Sequence, residues 1–475
     1  MRAVSLCVFM FAASVGSAVP AVAQMIGMPL PQAATRSPLL GGVPAGTPTE
    51  GVLTLTLLDA MSRALAHNLG VLNAAERVNY AAGTHQKEKG DLLPNINGRV
   101  SEVRQEINLQ AFGFGSFGDA FASVPPVVGP FNVFDARLYV SQALIDPVAS
   151  NKVHSEAHNM EAARFTSRGT RDLVVWVAGT LYVQALAASA RVDSTRAQQQ
   201  TAQALYDQAL DLKQGGIIAG LDVLRAQVQL DAETNRATVA DNDFEKAKLQ
   251  LAHAIGLPLG QQFVLDPKLP EIPGPDLTVE AAVQRAYETR ADYQAALERV
   301  KAAEASRKSI SGERLPAVHL NADFGDIGLS PSDSHTTFSV SGAVQIPIFQ
   351  GGRTQGKLVE ADADLRARRS EAEDMKASIY YEVRMAFLDL QATNSQLQVA
   401  TRARDLASEQ LTQSRDRFAA GVGSNIEVVQ AQSAVAVANE QYISALYGYD
   451  LAKGALIRGI GTAEQTLRQY LGGTR

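Results

Sequence analysis

The chain has 475 residues, a hydrophobic share of 46%, an aromatic share of 6% and a formal net charge of −6. That hydrophobic share excludes a wholly disordered chain, and the acidic balance, with no Lys/Arg-rich run, leaves no footprint for nucleic acid. So few aromatics suit Ala-rich helices better than one large close-packed core. Residues 1–23 read as a secretory signal peptide. Arg2 supplies the positive start, Leu6 to Val15 the apolar stretch, and Ala21-Val22-Ala23 the cleavage signal before Gln24. The single cysteine, Cys7, falls inside the apolar stretch. The mature chain is therefore expected to carry no disulfide and no lipid-bearing cysteine. Residues 24–51 are rich in Pro, Gly and Thr without apolar periodicity, which predicts an extended tether.

Two repeats follow, spanning 52–256 and 277–463, joined by a Pro-rich linker at 257–276 and closed by a tail at 464–475. At an offset of 222, Leu55-Thr56 matches Leu277-Thr278 and Glu76-Arg77-Val78 matches Glu298-Arg299-Val300. Leu93-Pro94 matches Leu315-Pro316 in the same frame. Further on, at an offset of 205, Leu221-Asp222-Val223 matches Ile426-Glu427-Val428 and Ile255-Gly256 matches Ile460-Gly461. The first repeat therefore carries extra residues between the two blocks.

Each repeat opens with a helix of about 35 residues that stops at Leu-Pro, because proline disfavours helix in the residue before it. Two strands come next, at about 94–146 and about 316–348. Phe134, Ala136, Leu138 and Val140 alternate with Asp135, Arg137, Tyr139 and Ser141; Phe338, Val340, Gly342 and Val344 alternate with Thr337, Ser339 and Ser341. Such period-two patterns suit a sheet touching water on one face, and equally a transmembrane barrel. The strand after Pro94 is poorer, since Glu102 and Arg104 interrupt its apolar face. A Phe-rich loop occupies 112–121. Four strands per chain are too few to close a membrane barrel alone, since barrels start at about eight.

Long helical stretches are expected at about 148–213 and 352–418, each able to run about 100 Å. Leu173 to Ala190 carries no charge, but its counterpart contains Glu382, Arg384 and Asp389. A helix packed on several sides fits that pair better than a membrane span. The long helices turn at Gly215-Gly216 and at Gly421-Val422-Gly423 and return as helices of about 35 residues, long enough to stack with the opening helices beside the long one. The returning helices repeat in sevens. Val428, Val435, Tyr442, Tyr449 and Leu456 are joined by Ala431, Ala438, Ala445 and Ala452. In the first repeat the alanine series is Ala226, Ala240, Ala247 and Ala254, broken by Glu233. A sustained seven-residue repeat specifies a left-handed coiled coil.

No catalytic, cofactor-binding or metal-binding constellation emerges. Gly351-Gly352-Arg353-Thr354-Gln355-Gly356-Lys357 approaches a phosphate-binding loop, but Leu358 stands where the Mg²⁺-binding hydroxyl belongs. His154 and His158 lack a third ligand and read as exposed helix residues. Asp222 and Glu427 hold equivalent places after the turns, where a carboxylate suits a helix start.

Taken together, the Leu-Pro helix ends, the run Ile346-Pro347-Ile348-Phe349-Gln350-Gly351-Gly352-Arg353, and Phe418-Ala419-Ala420-Gly421 followed by Ile426-Glu427-Val428 resemble the outer membrane factor family, the TolC-like channels. The resemblance covers about residues 52–463. It implies a mainly α fold with β: a long coiled-coil helical tunnel plus four strands per chain, contributed to a trimeric twelve-stranded transmembrane barrel. It implies a non-lipidated outer-membrane channel subunit of a tripartite efflux or type I secretion system, a passive exit duct gated at its periplasmic tip. The implied partners are two further copies of the chain, a periplasmic adaptor, an inner-membrane pump and outer-membrane lipid. By position, Glu427 matches a ring acid, Gln430 replaces a second acid, and Phe418 matches an aromatic that helps close the tip. Gly423 stands where some members have a gate arginine, so Asp222 and Arg225 become gate candidates, and the two glycine turns become adaptor contacts. A pore-less periplasmic or surface coiled-coil scaffold is the alternative from a different class. The exported substrate is not encoded in these patterns.

Overall fold

The computed structural model describes residues 37–112, 125–269, 277–420 and 422–472. The signal peptide, residues 24–36 of the tether, residues 113–121 of the Phe-rich loop, residues 270–276 of the linker and Gly421 lie outside them.

Local signals at Thr56 and Thr278 start the two repeats. After strand β1 (Leu53–Leu55), Thr56 caps helix α1 (Leu57–His67): its hydroxyl accepts from the Asp59 N–H while the Asp59 carboxylate accepts from the Thr56 N–H. Helix α2 (Leu69–Gly90) follows, then strands β2 (Asn95–Asn108) and β3 (Val127–Ile145), the 68-residue helix α3 (Pro147–Gln214), the returning helix α4 (Gly220–Ala254) and the short strand β4 (Phe263–Leu265). The second repeat runs through α5 (Val279–Thr289), α6 (Ala291–Gly312), β5 (Ala317–Ser330), β6 (Asp333–Gln345), the 67-residue α7 (Arg353–Ala419) and α8 (Asn425–Ile460). The tail forms helix α9 (Ala463–Gly472).

Each opening helix is two helices where periodicity suggested one. The breaks fall at Asn68 and Arg290, which are equivalent at the 222 offset, and both residues are extended. No proline marks either site, and a glycine, Gly70, follows only the first. Buried polar contacts make the break instead. The Asn68 side chain, 1% exposed, accepts from the Gly70 N–H and donates to the carbonyls of Leu39 and Ala254. Arg290 donates to Asp292 (2.5 Å) and Glu382 (2.6 Å). Burial opposes ionisation of Asp292, but the adjacent Arg290 guanidinium holds its carboxyl below the ordinary range. The segment read as tether is also engaged where described, because Leu39 packs on the core and the Leu69 N–H donates to the Gly41 carbonyl.

The repeat is clearest in the cores. Ala60, Ala64, Val174, Ala178, Leu251 and Ile255 are buried together in the first; Ala282, Ala286, Ile379, Val383, Leu456 and Ile460 take the same places in the second. The apolar stretch of α3 is thus a core helix, although it is long and apolar enough by composition to cross a membrane. Helix α9 docks on α3. Arg171 holds the Glu464 carboxylate (2.7 Å), and the Glu464 N–H donates to Asp172 (2.8 Å), whose carboxyl is pushed up by burial. Glu233 is buried in the seam where the second repeat has Ala438, held by Gln229 and Arg236, each at 2.7 Å.

Two sheets form. β1 pairs with β4 in parallel, and the long strands make an antiparallel sheet in the order β2-β3-β5-β6. Register decides what each face of the long sheet presents, since a one-residue slip would exchange the faces. Ile96, Val140, Ala322 and Val340 stand opposite one another in one row, and Gly98, Leu138, Phe324 and Phe338 in the next. The residues between them put Arg99, Arg137, Asp135 and Asp323 on the other face, where Arg137 donates to Asp135 (2.7 Å) and Asp323 (3.0 Å). Glu102, opposite Phe134 and accepting from Asn132 (3.0 Å), marks where the apolar band ends on β2. Among the described residues, the outer edges of β2 and β6 have no strand partner.

Tyr182 separates the two cores, because its counterpart is Phe387. Its hydroxyl donates within reach of the carbonyls of Leu55 and Asp266, both at 2.8 Å, tying α3 to the β1–β4 pair; burial pushes the phenol pKa up and keeps it a donor. Tyr182→Phe should keep the packing and lower unfolding stability by about 1–2 kcal/mol in thermal or denaturant melts.

Candidate functional site

The two turns at the far ends of α3 and α7 are built alike. In the first, Gly216 takes φ +70°, which glycine adopts without steric cost, and the N–H groups of Gly216 and Ile217 close back on the carbonyls of Lys213 (3.0 Å) and Leu212 (2.9 Å). In the second, the Val422 and Gly423 N–H groups both reach the Arg417 carbonyl at 3.0 Å. A side chain at Gly423 would start 3.1 Å from the backbone of Arg417 and Phe418. This close approach explains a glycine at that position.

Asp222 and Glu427 both fall in the first turn of their helices, as a helix-start carboxylate should. Ser424 caps α8, its hydroxyl accepting from the Glu427 N–H (3.3 Å), whereas Ala219 at the start of α4 offers no side-chain cap. Each acid also stands beside an arginine of the same chain. Arg225 reaches Asp222 at 3.2 Å, and Arg417 lies 3.7 Å from Glu427. Arg417 was missed in the sequence because it pairs across the turn, ten residues from its partner, with no helical spacing to reveal it.

The first turns of α4 and α8 lie side by side. Between them is a groove of about 350 Å³ lined by Leu221, Leu224, Val228, Ile426, Val429, Arg225, Gln229 and Gln430. Arg225 and Gln430, equivalent at the 205 offset, thus meet in one groove. Phe418 is half-buried at the end of α7. His158 does not behave as an exposed helix residue: its Nδ1 lies 2.7 Å from Glu298 on α6, joining the repeats. Although burial opposes it, Lys301 and His158 hold the Glu298 carboxyl low.

Comparison with known proteins agrees with this architecture. The family described as outer membrane efflux protein matches residues 282–473, the second repeat and α9. The outer membrane protein TolC of Vibrio cholerae is 21% identical over 443 residues, covering 90% of this chain and 95% of that protein. Protein CyaE of Bordetella pertussis is 24% identical over 87% of this chain and 85% of its own length. Among solved structures, the Campylobacter jejuni CmeC outer membrane channel superimposes with a TM-score of 0.77 at 16% identity, over 94% of this chain and 97% of that one. The second repeat thus matches the outer membrane efflux protein family, and the fold of the described residues is that of the outer membrane channel structures.

Loss of the only side-chain cap at the two turns should be local. Ser424→Ala is expected to cost about 1 kcal/mol of local stability and to speed amide hydrogen exchange in residues 426–432. Exchange at the start of α4, which has no side-chain cap to lose, should not change.

Proposed function

We propose that the chain is one third of a homotrimeric exit duct whose four long strands join those of two neighbours in a twelve-stranded transmembrane barrel. The observation that carries this reading is the β2-β3-β5-β6 sheet. One face carries an apolar band, the other is polar and ion-paired, and both outer edges are open among the described residues. An apolar outer face suits lipid and a polar inner face suits a water-filled lumen. The helices continue this wall into the periplasm as a tunnel, and the turns with their paired acids form its gated mouth. The adaptor would meet the turns around Gly215, Gly216, Val422 and Gly423 together with Gly421, and an inner-membrane pump would supply the cargo. The match to the outer membrane efflux protein family and the outer membrane channels of similar fold support a passive conduit for material driven from elsewhere.

Three copies of Asp222 and Glu427 at a narrow mouth would draw cations against the opposing pull of the arginines that pair with them. Arg225 and Arg417 stand beside them, so removing the acids alone leaves six arginines there. In planar-bilayer recordings, Asp222→Asn with Glu427→Gln should abolish or reverse the cation preference of the open channel; an unchanged permeability ratio would contradict the proposed gate. A soluble periplasmic monomer in cell fractionation would contradict the duct itself and favour a scaffold.

A further inference from the structure

Within one chain the returning and long helices lie in a row: α4 against α3, α3 against α8, α8 against α7. The two ends of this row, α4 and α7, keep large apolar side chains in solvent. The internal repeat supplies a template for covering them, because α3 corresponds to α7 and α8 to α4 at the 205 offset. The α3–α8 contact inside the chain therefore predicts an α7–α4 contact between two chains.

Two observed points anchor that template. The Trp176 ring on α3 lies so close to Gly454 on α8 that a Cβ there would meet it at 2.5 Å. Arg191 on α3 pairs with Glu440 on α8 at 2.8 Å. Moved by 205, the first pair becomes Tyr381 on α7 and Leu249 on α4, which are 63% and 69% exposed. The second becomes Gln396 and Asn235, both exposed. Following the same antiparallel alignment toward the turns brings Leu406 opposite Leu224, 67% and 56% exposed. Bulky apolar residues thus recur at matched heights on both uncovered faces, where burial against each other would remove them from water.

We infer that α7 of one protomer packs antiparallel on α4 of the next in this register, with Tyr381 against Leu249, Gln396 against Asn235 and Leu406 against Leu224. The occupant of each exposed face is a second copy of this chain. At the Arg191–Glu440 position, the ion pair within a chain gives way to a neutral amide pair between chains. This inference rests on the trimer proposed above and adds the register of its helical seam.

The test uses engineered cysteines, which the sequence suits because its only cysteine is Cys7. The full chain is expressed with Tyr381→Cys plus Leu249→Cys, or with Leu406→Cys plus Leu224→Cys, and treated in isolated outer membranes with a short bis-maleimide cross-linker, whose reach spans side-chain lengths a disulfide could not. Both pairs should give bands at about twice and three times the chain mass. Arg191→Cys plus Glu440→Cys should link within one chain without adding mass, which also reports folding at the same height. Single-cysteine variants should give no ladder. If native electrophoresis shows trimers but neither pair, or only one, forms the ladder, the register is overturned while the trimer stands. If the intrachain pair links and no trimer is present, the trimer and this seam fall together.

Discussion

A strand edge that faces hydrocarbon must find hydrogen-bond partners, because lipid offers none and each unpaired peptide group costs several kcal/mol. The four-stranded sheet here satisfies that requirement inside and leaves it open at β2 and β6. Everything distinctive about the chain is arranged around that incompleteness. The apolar rows, from Ile96 to Val340 and from Gly98 to Phe338, would lie on one face of a sheet with no closed circumference of its own. Aggregation through an open edge is the ordinary fate of such strands. Closure with copies of the same chain, as proposed above, would remove the hazard and make a pore in one step.

The helical portion meets an analogous problem with side chains in place of backbone. Its row also ends on two uncovered elements, and the duplication provides the geometry for joining them. Where the repeats agree, as in the cores around Val174 and Ile379, they set a common spacing between helices. Where they differ, the chain would distinguish its own internal seam from the one proposed between copies. Tyr182 against Phe387, Glu233 against Ala438 and Arg191–Glu440 against Gln396–Asn235 are such differences. Each puts the extra polar contact in or around the first repeat.

Much of this was legible in the sequence, for physical reasons. Proline after a leucine, alternation along strands and glycine pairs at turns are local signals, and the elements beginning at Pro147 and Arg353 follow them closely. The duplication then exposed Asp222 and Glu427 as equivalent positions. The helix breaks at Asn68 and Arg290 were not legible, because contacts with distant residues create them: Ala254 for the first and Glu382 for the second. The same holds for Arg417 beside Glu427 and for His158 beside Glu298. The docked helix α9 looked like a tail because the Arg171–Glu464 contact that fixes it joins residues almost three hundred positions apart.

Amide hydrogen exchange on the protein in its own membrane would test the edge constraint most directly. If β2 and β6 pair with neighbouring copies, amides along Asn95–Asn108 and Asp333–Gln345 should be protected as strongly as those of the inner strands β3 and β5. Rapid exchange confined to the edge-facing amides of β2 and β6 would show that the sheet stays open, and would contradict the account of this chain as one third of a closed channel.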